Sequence, residues 1–180
     1  MKGITDIITD RRSIRSYRDM DLTDEVLSKL LESIRWSPSW ANTQCWEVIV
    51  VKDKARKEQL REALPGTNPA SYAIVQAPVL IVICGKKGRA GYYKGQAATI
   101  LGDWFMYDLG IATQSLCLTA HDLGLGTVII GLFDHDRAKT ILNVPDEYEL
   151  VSIIPVGYAA KESPAPKRRE INEFTHYDGF

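Results

Sequence analysis

The sequence predicts an α+β layered domain, with a sheet packed against helices around one core. Three observations carry this. Amphipathic stretches with helical spacing recur along the chain, interleaved with short β-branched runs. Capping residues, prolines and glycines punctuate the boundaries between them. The 180 residues suit one domain that buries roughly 70% of its chain surface, and no linker or internal repeat divides them.

Residues 3–10 read as a short helix with Ile4, Ile7 and Ile8 on one face. Thr23 caps a second helix. Asp24 and Glu25 lie in its first turn, and Val26, Leu27, Leu30, Leu31 and Ile34 form its apolar stripe. It ends by Ser37, because the residue before Pro38 avoids helical geometry. Residues 39–44 form a polar loop and residues 46–51 a strand. Residues 53–64 are expected to be helical up to Pro65-Gly66, with 65–71 a loop. Residues 78–84 are apolar on both faces, the mark of a central strand, and a glycine-rich basic connection spans 85–91. Residues 96–123 read as one long helix. Its Ala97, Ala98, Ala112 and Ala120 suit close packing in a core or against a second subunit, and Gly124-Leu125-Gly126 ends it. Residues 127–130 are expected as a strand, Asp134 as the cap of a helix through Leu142, and 150–156 as the last strand. The total is roughly four strands and five helices. Residues 158–180 form a polar tail that still carries Phe174, Tyr177 and Phe180, so it is expected to pack on a partner surface.

Composition narrows the function. The net charge of -1 gives no global basic field, which argues against a nucleic-acid binder and requires any anion site to be local. Charge appears by Lys2 and Asp6, before any apolar run, so no secretory signal is read; no apolar stretch reaches the ~18 residues of a membrane span. Cys45, Cys84 and Cys117 lack CxxC spacing, and His121, His135 and His176 are scattered. Neither a disulfide framework nor a metal site is expected, and the location expected is cytoplasmic.

Two basic groups and one loop carry the chemistry. Arg11-Arg12-Ser13-Ile14-Arg15 packs three guanidinium groups into five residues. Lys167-Arg168-Arg169 follows a Pro164-Ala165-Pro166 brace. Arginine offers planar forked donors that match phosphate oxygens, although such clusters also serve as solvated faces. The loop Ser37-Pro38-Ser39-Trp40-Ala41-Asn42-Thr43-Gln44 is dense in amides and hydroxyls. It could address the edge of a heterocycle or merely cap its own backbone. Gly85-x-x-Gly88-x-x-Gly91 follows a strand, but its spacing is not that of a dinucleotide fingerprint.

Read together, Arg-Arg-Ser-Ile-Arg, Pro38-Ser-x-x-Asn-x-Gln-x-Trp46, the run from Asp108 to Ala120, Leu123 to Thr127, Pro155-Val-Gly-Tyr158 and Pro166-Lys-x-Arg169 resemble the nitroreductase family of FMN-dependent oxidoreductases in order along essentially the whole chain. The resemblance implies a central mixed, largely antiparallel sheet flanked by helices, and a homodimer with FMN at the subunit interface. It implies that Arg11, Arg12, Ser13 and Arg15 meet the phosphate, the ribityl chain and the pyrimidine edge, with Lys167 and Arg169 completing the phosphate site. It places Pro38, Ser39, Trp40 and Asn42 along the flavin from the other subunit. Ile130, Gly131 and Leu132 would face the ring, a backbone N–H there pointing at flavin N5; Leu132 departs from the small residue commoner at its position. The implied activity passes a hydride from NADH or NADPH through flavin N5 to a nitroaromatic, quinone or flavin, with no catalytic side chain. A different redox role on the same fold, such as dehalogenation, desaturation or redox sensing, stays open.

Overall fold

The computed structural model describes residues 3–180. Helix α1 (Ile4–Asp10) starts from Gly3 and buries Ile7. An extended segment leads to α2 (Asp24–Arg35), where the Thr23 hydroxyl oxygen accepts from the Val26 N–H at 3.2 Å, the cap expected of it. After a 3-10 turn at Trp40–Asn42 come β1 (Trp46–Val51) and α3 (Lys54–Glu62), the latter capped by Asp53. Then follow α4 (Ser71–Gln76), β2 (Val79–Lys86), and the two-residue strands β3 (Tyr92–Tyr93) and β4 (Gln96–Ala97). The series closes with α5 (Phe105–Asp122), β5 (Gly126–Thr127), α6 (His135–Leu142) and β6 (Tyr148–Gly157).

The main sheet runs β1-β2-β6-β5, and each of these strand pairs is antiparallel. A parallel bridge between Ser13 and Thr127 makes it mixed but largely antiparallel. Strand alternation sorts the core into two layers. Leu80, Val82 and Cys84 face Leu60, Ile74 and Ala138 from α3, α4 and α6. Val79, Ile81 and Ile83 face Leu30 and Ile34 of α2 and Leu109 and Leu116 of α5. Each large buried side chain contributes about 1.5–3 kcal/mol, so both layers are needed to hold β2 and β6 at the centre.

Three expectations need correction. The long helix begins at Phe105, not residue 96. Gly95 and Gly102 adopt left-handed φ of 78° and 67°, which breaks a helix, and Gln96–Ala97 instead forms a hairpin with Tyr92–Tyr93. Asp103 marks the true start, one of its oxygens accepting from the Phe105 N–H at 3.2 Å. The strand expected at 127–130 is broken. β5 stops at Thr127, and the chain rejoins β6 only at Ile130, opposite Ile153. The same register sets Val128 opposite Pro155, which has no N–H to donate. Finally, residues 71–76 form α4, and Gly85 and Lys86 continue β2 past a bulge between Ile83 and Cys84.

Candidate functional site

The arginine segment is held by backbone contacts at both ends. The Ile14 N–H donates to Thr127 O at 2.9 Å, the Arg18 N–H to Tyr158 O at 2.9 Å, and the Ala160 N–H to Ser16 O at 2.9 Å. The buried Tyr17 hydroxyl donates toward Ile14 O and Pro155 O at 2.7 and 3.0 Å. β5 carries glycine because a Cβ on Gly126 would stand 2.6 Å from Ile14 Cγ1. The segment is extended, so alternate side chains face opposite ways. Ile14 and Arg12 line a cavity of about 820 Å³ with His121 and Ser163. Arg12 is turned back on its own segment, bonding Thr9 O at 2.5 Å and Arg11 O at 2.9 Å. Arg11 lies on the other side, where its charge reaches the Cys117 thiol of α5. Burial holds that thiol above its usual range, and Thr127 and Arg11 oppose the rise. Among the described residues, Arg11, Arg12 and Arg15 form no ion pair with a carboxylate, whereas Lys29, Arg35, Arg61 and Arg137 each do.

The C-terminal tail meets this segment where Ser163 Oγ donates to Ser13 O at 3.2 Å. Lys167 has no carboxylate partner among the described residues. Arg169 folds onto the tail itself, bonding Glu173 O and stacking over Phe174 at 5.7 Å. The tail's aromatic residues Phe174, Tyr177 and Phe180 are all exposed.

The loop from Pro38 to Gln44 is built around a buried acid that the sequence did not mark. Asp108 of α5 is 1% exposed, and both of its oxygens accept from the Trp40 N–H, at 3.0 and 3.1 Å. The Cys45 thiol donates to the same group at 3.5 Å and is pushed up to about 12, first by burial and then by Asp108. Above this anchor the backbone is strained: Ala41, Asn42 and Gln44 sit at φ of 42°, 54° and 46°. Ser39 Oγ accepts from the Gln44 N–H at 2.9 Å, and Gln44 Nε2 donates to Asn42 Oδ1 at 3.1 Å. Trp40 packs on Trp104 with ring centroids 5.1 Å apart. Part of the loop therefore does cap itself, while Pro38, Ser39 and Trp40 line a mostly apolar hollow with Trp104, Tyr107 and Ile111.

The strand end at Ile130, Gly131 and Leu132 is the third part. Ile130 is pinned to Ile153 by two backbone bonds of 3.0 Å. Gly131 is exposed, a Cβ added there would touch nothing within 4 Å, and no described group accepts from its N–H. Packing within this chain gives no reason for glycine. Leu132 is exposed, and its carbonyl accepts from Asn68 Nδ2 at 3.1 Å, which ties the 65–71 loop to this corner. Gly131 opens on a largely apolar cavity of about 500 Å³ shared with Met106, Leu109, Gly110 and Thr113 of α5.

Helix α5 thus separates the parts. Trp104, Tyr107, Asp108 and Ile111 face the loop, and Met106, Leu109, Gly110 and Thr113 face Gly131, half a helical turn away. Met106, Tyr107, Gly110 and Gln114 leave an exposed stripe between them. One chain brings the arginine segment and tail together but keeps the 38–44 loop on the far side of α5 from Gly131.

The nitroreductase family model matches residues 8–73 and 67–158. A Methanothermobacter thermautotrophicus protein provisionally named NADH dehydrogenase/NAD(P)H nitroreductase is 32% identical over 91% of this chain and 81% of its own. The FMN reductase [NAD(P)H] of Bacillus subtilis is 31% identical, covering 100% of this chain and 75% of its own. Among solved structures, an FMN-dependent nitroreductase from Clostridium difficile superposes with a TM-score of 0.82 at 27% identity, covering 98% and 99% of the two chains. With motifs, sheet order and relatives in agreement along its length, this chain belongs to the nitroreductase family.

Proposed function

We propose that this protein binds FMN in a site shared by two copies of the chain and uses it to pass a hydride from NADH or NADPH to a flat, electron-poor acceptor such as a quinone, nitroaromatic or flavin. The observation that carries this reading is Gly131: an exposed glycine, free of internal packing constraint, with an amide that no described group engages, at the mouth of a largely apolar cavity. Such an amide suits a ring nitrogen brought close to the backbone. Bound FMN supplies a ring that takes up and gives back a hydride, chemistry no side chain offers. The chain's work is to hold and orient it. Arg11 and Arg15, with no carboxylate partner among the described residues, are assigned to the phosphate and the pyrimidine edge, with Ser13 beside them and Lys167 from the tail. Arg12 and Arg169 would join only by giving up their present carbonyl partners.

The opposite placement of the two faces of α5 supports a homodimer. The Pro38–Asn42 loop of one copy, with Trp40, would lie against the flavin held by the arginines, Ile130, Gly131 and Leu132 of the other. Met106 and Tyr107, exposed on α5, and the aromatic tail would be covered in the same assembly. Three buried, unpaired cysteines suit a cytoplasmic location. Among the described residues no helix is long and apolar enough to cross a membrane.

The test is the visible spectrum of purified protein, followed by chromatography of any chromophore released by heat. A yellow protein that releases FMN and oxidises NADH or NADPH in the presence of a quinone meets the proposal. A colourless protein that takes up no added FMN sinks it, and one that holds FMN without turning over shifts the role to sensing.

A further inference from the structure

The chain on both sides of Gly131 is anchored. Ile130 and Phe133 are buried in the core layer that α3, α4 and α6 share with the sheet. The Ile153 N–H donates to Ile130 O at 3.0 Å. In a trans peptide the C=O and the next N–H point opposite ways, so the Gly131 N–H is turned away from β6. The Leu132 carbonyl accepts from Asn68 Nδ2 at 3.1 Å, and Asn68 Oδ1 in turn accepts from the Ala70 N–H at 2.9 Å. The Asp134 N–H donates to Ala63 O at 2.8 Å. Residues 130, 132, 133 and 134 are thus each held in place.

Leu132 nevertheless presents its side chain to the outside and is 66% exposed. A lone exposed leucine means little by itself. This one is not able to turn inward, because its carbonyl is tied to Asn68 and Phe133 takes the core position next to it. Leu132 belongs to neither core layer and does not line the cavity that Gly131 opens on. Ile129, half exposed, does line it. Gly131 is therefore a gap without a side chain, set between Ile129 on the cavity side and Leu132 on the outer side. A flat ring seated on Gly131 covers the mouth of the cavity, so a second ring reaches it from the open side, where Leu132 stands.

We propose that Leu132 determines acceptor specificity, restricting this site to acceptors of a single ring such as a benzoquinone or a mononuclear nitroaromatic. The inference rests on the flavin reading of the site and narrows it. An acceptor must overlap the bound ring at the position that faces Gly131. One ring can stack there and stay clear of a side chain one residue away. Three fused rings centred on the same point overrun that side chain. A leucine on a loose rim would move aside; here the anchors on both sides hold its backbone, so the overlap is relieved only by losing contact with the ring. A free flavin is thus disfavoured as acceptor, although the same site holds a flavin as cofactor.

The test uses the FMN-loaded protein without NADH or NADPH, so that nothing turns over. Benzoate and acridine-9-carboxylate, one ring against three with the same charge, are titrated against the absorption band of the bound flavin in the wild type and in Leu132→Ala. The ratio of the tricyclic to the monocyclic dissociation constant should fall about 10-fold in the variant. In turnover, kcat/KM for riboflavin should rise relative to that for benzoquinone by a similar factor, through KM. Leu132→Trp should move both ratios the opposite way. Ratios that stay at the wild-type value overturn the proposal. So do two ligands that change in proportion, which would place Leu132 against the cofactor and not the acceptor. Should Leu132→Ala shed its flavin, Leu132→Trp decides alone: it raises the ratio of dissociation constants, or the proposal fails. A wild type that takes up no FMN overturns the underlying reading instead, which separates the two failures.

Discussion

The arginine segment and the loop after α2 are both assigned to the flavin, yet they are built in opposite ways. Residues 11–18 are fixed by main-chain bonds to Thr127, Tyr158 and Ala160, and the charged side chains hang from that frame without structural duties in the case of Arg11. Residues 38–44 have a strained backbone held by side chains: Asp108 below, Ser39 within and Trp104 beside. The difference teaches where binding and stability can be separated. Removing the Arg11 side chain from the first region should change affinity alone; a side chain removed from the second should change the shape of the region itself.

The largest break in that contrast is Asp108→Ala. It leaves the Trp40 N–H without its acceptor beneath a strained turn, so unfolding free energy should fall by about 2–3 kcal/mol and FMN affinity with it, read by urea denaturation and flavin titration. An undiminished midpoint would mean that Asp108 does not hold the loop.

Alkaline pH probes the same anchor. Burial, aided by Asp108 at Cys45, pushes the Cys45 and Cys84 thiols up to about 12 from a usual value near 9.0. Between these values the unfolded chain ionises its thiols while the folded chain keeps them protonated. The folded state then binds more protons, so the stability is full below about 9 and lost as pH rises toward about 12. Denaturation midpoints measured across that window should decline; a flat profile would show that the thiols are not insulated.

Arg11→Ala sharpens the contrast from the other side. Loss of a charge-assisted bond to phosphate should weaken FMN binding roughly 10- to 100-fold, about 1.5–3 kcal/mol, and leave the urea midpoint of the apoprotein unchanged. Parallel loss of stability would show that the guanidinium has a structural duty. Ser39→Ala is the smallest change. Removing the acceptor of the Gln44 N–H should cost about 1 kcal/mol of stability, with affinity following.

Much of this was legible in sequence because its causes are local. Thr23 and Asp134 announce helix starts through their own caps, and the unbroken apolar run of β2 announces a strand buried on both faces. The failures have non-local causes. Residues 96–104 are rich in small and apolar types, but Gly95 and Gly102 turn them into a hairpin and loop. β5 breaks against a proline in another strand. Asp108 acts on Trp40 from 68 positions away, and nothing in its helix marks it as a loop anchor. The separation of Gly131 from the 38–44 loop across α5, the basis for a shared site, is likewise a property of the folded helix and of no motif.

The most direct test of that shared site mixes two defective proteins, Arg11→Ala and Asp108→Ala, and measures FMN bound after subunit exchange. If each flavin lies between the arginine segment of one copy and the loop of the other, a hybrid dimer combines both defects in one site and leaves the second intact, so FMN binding recovers above either parent. If both regions served the flavin from the same chain, every site in the hybrid would carry one defect. Binding that stays at the level of the parents would contradict the account.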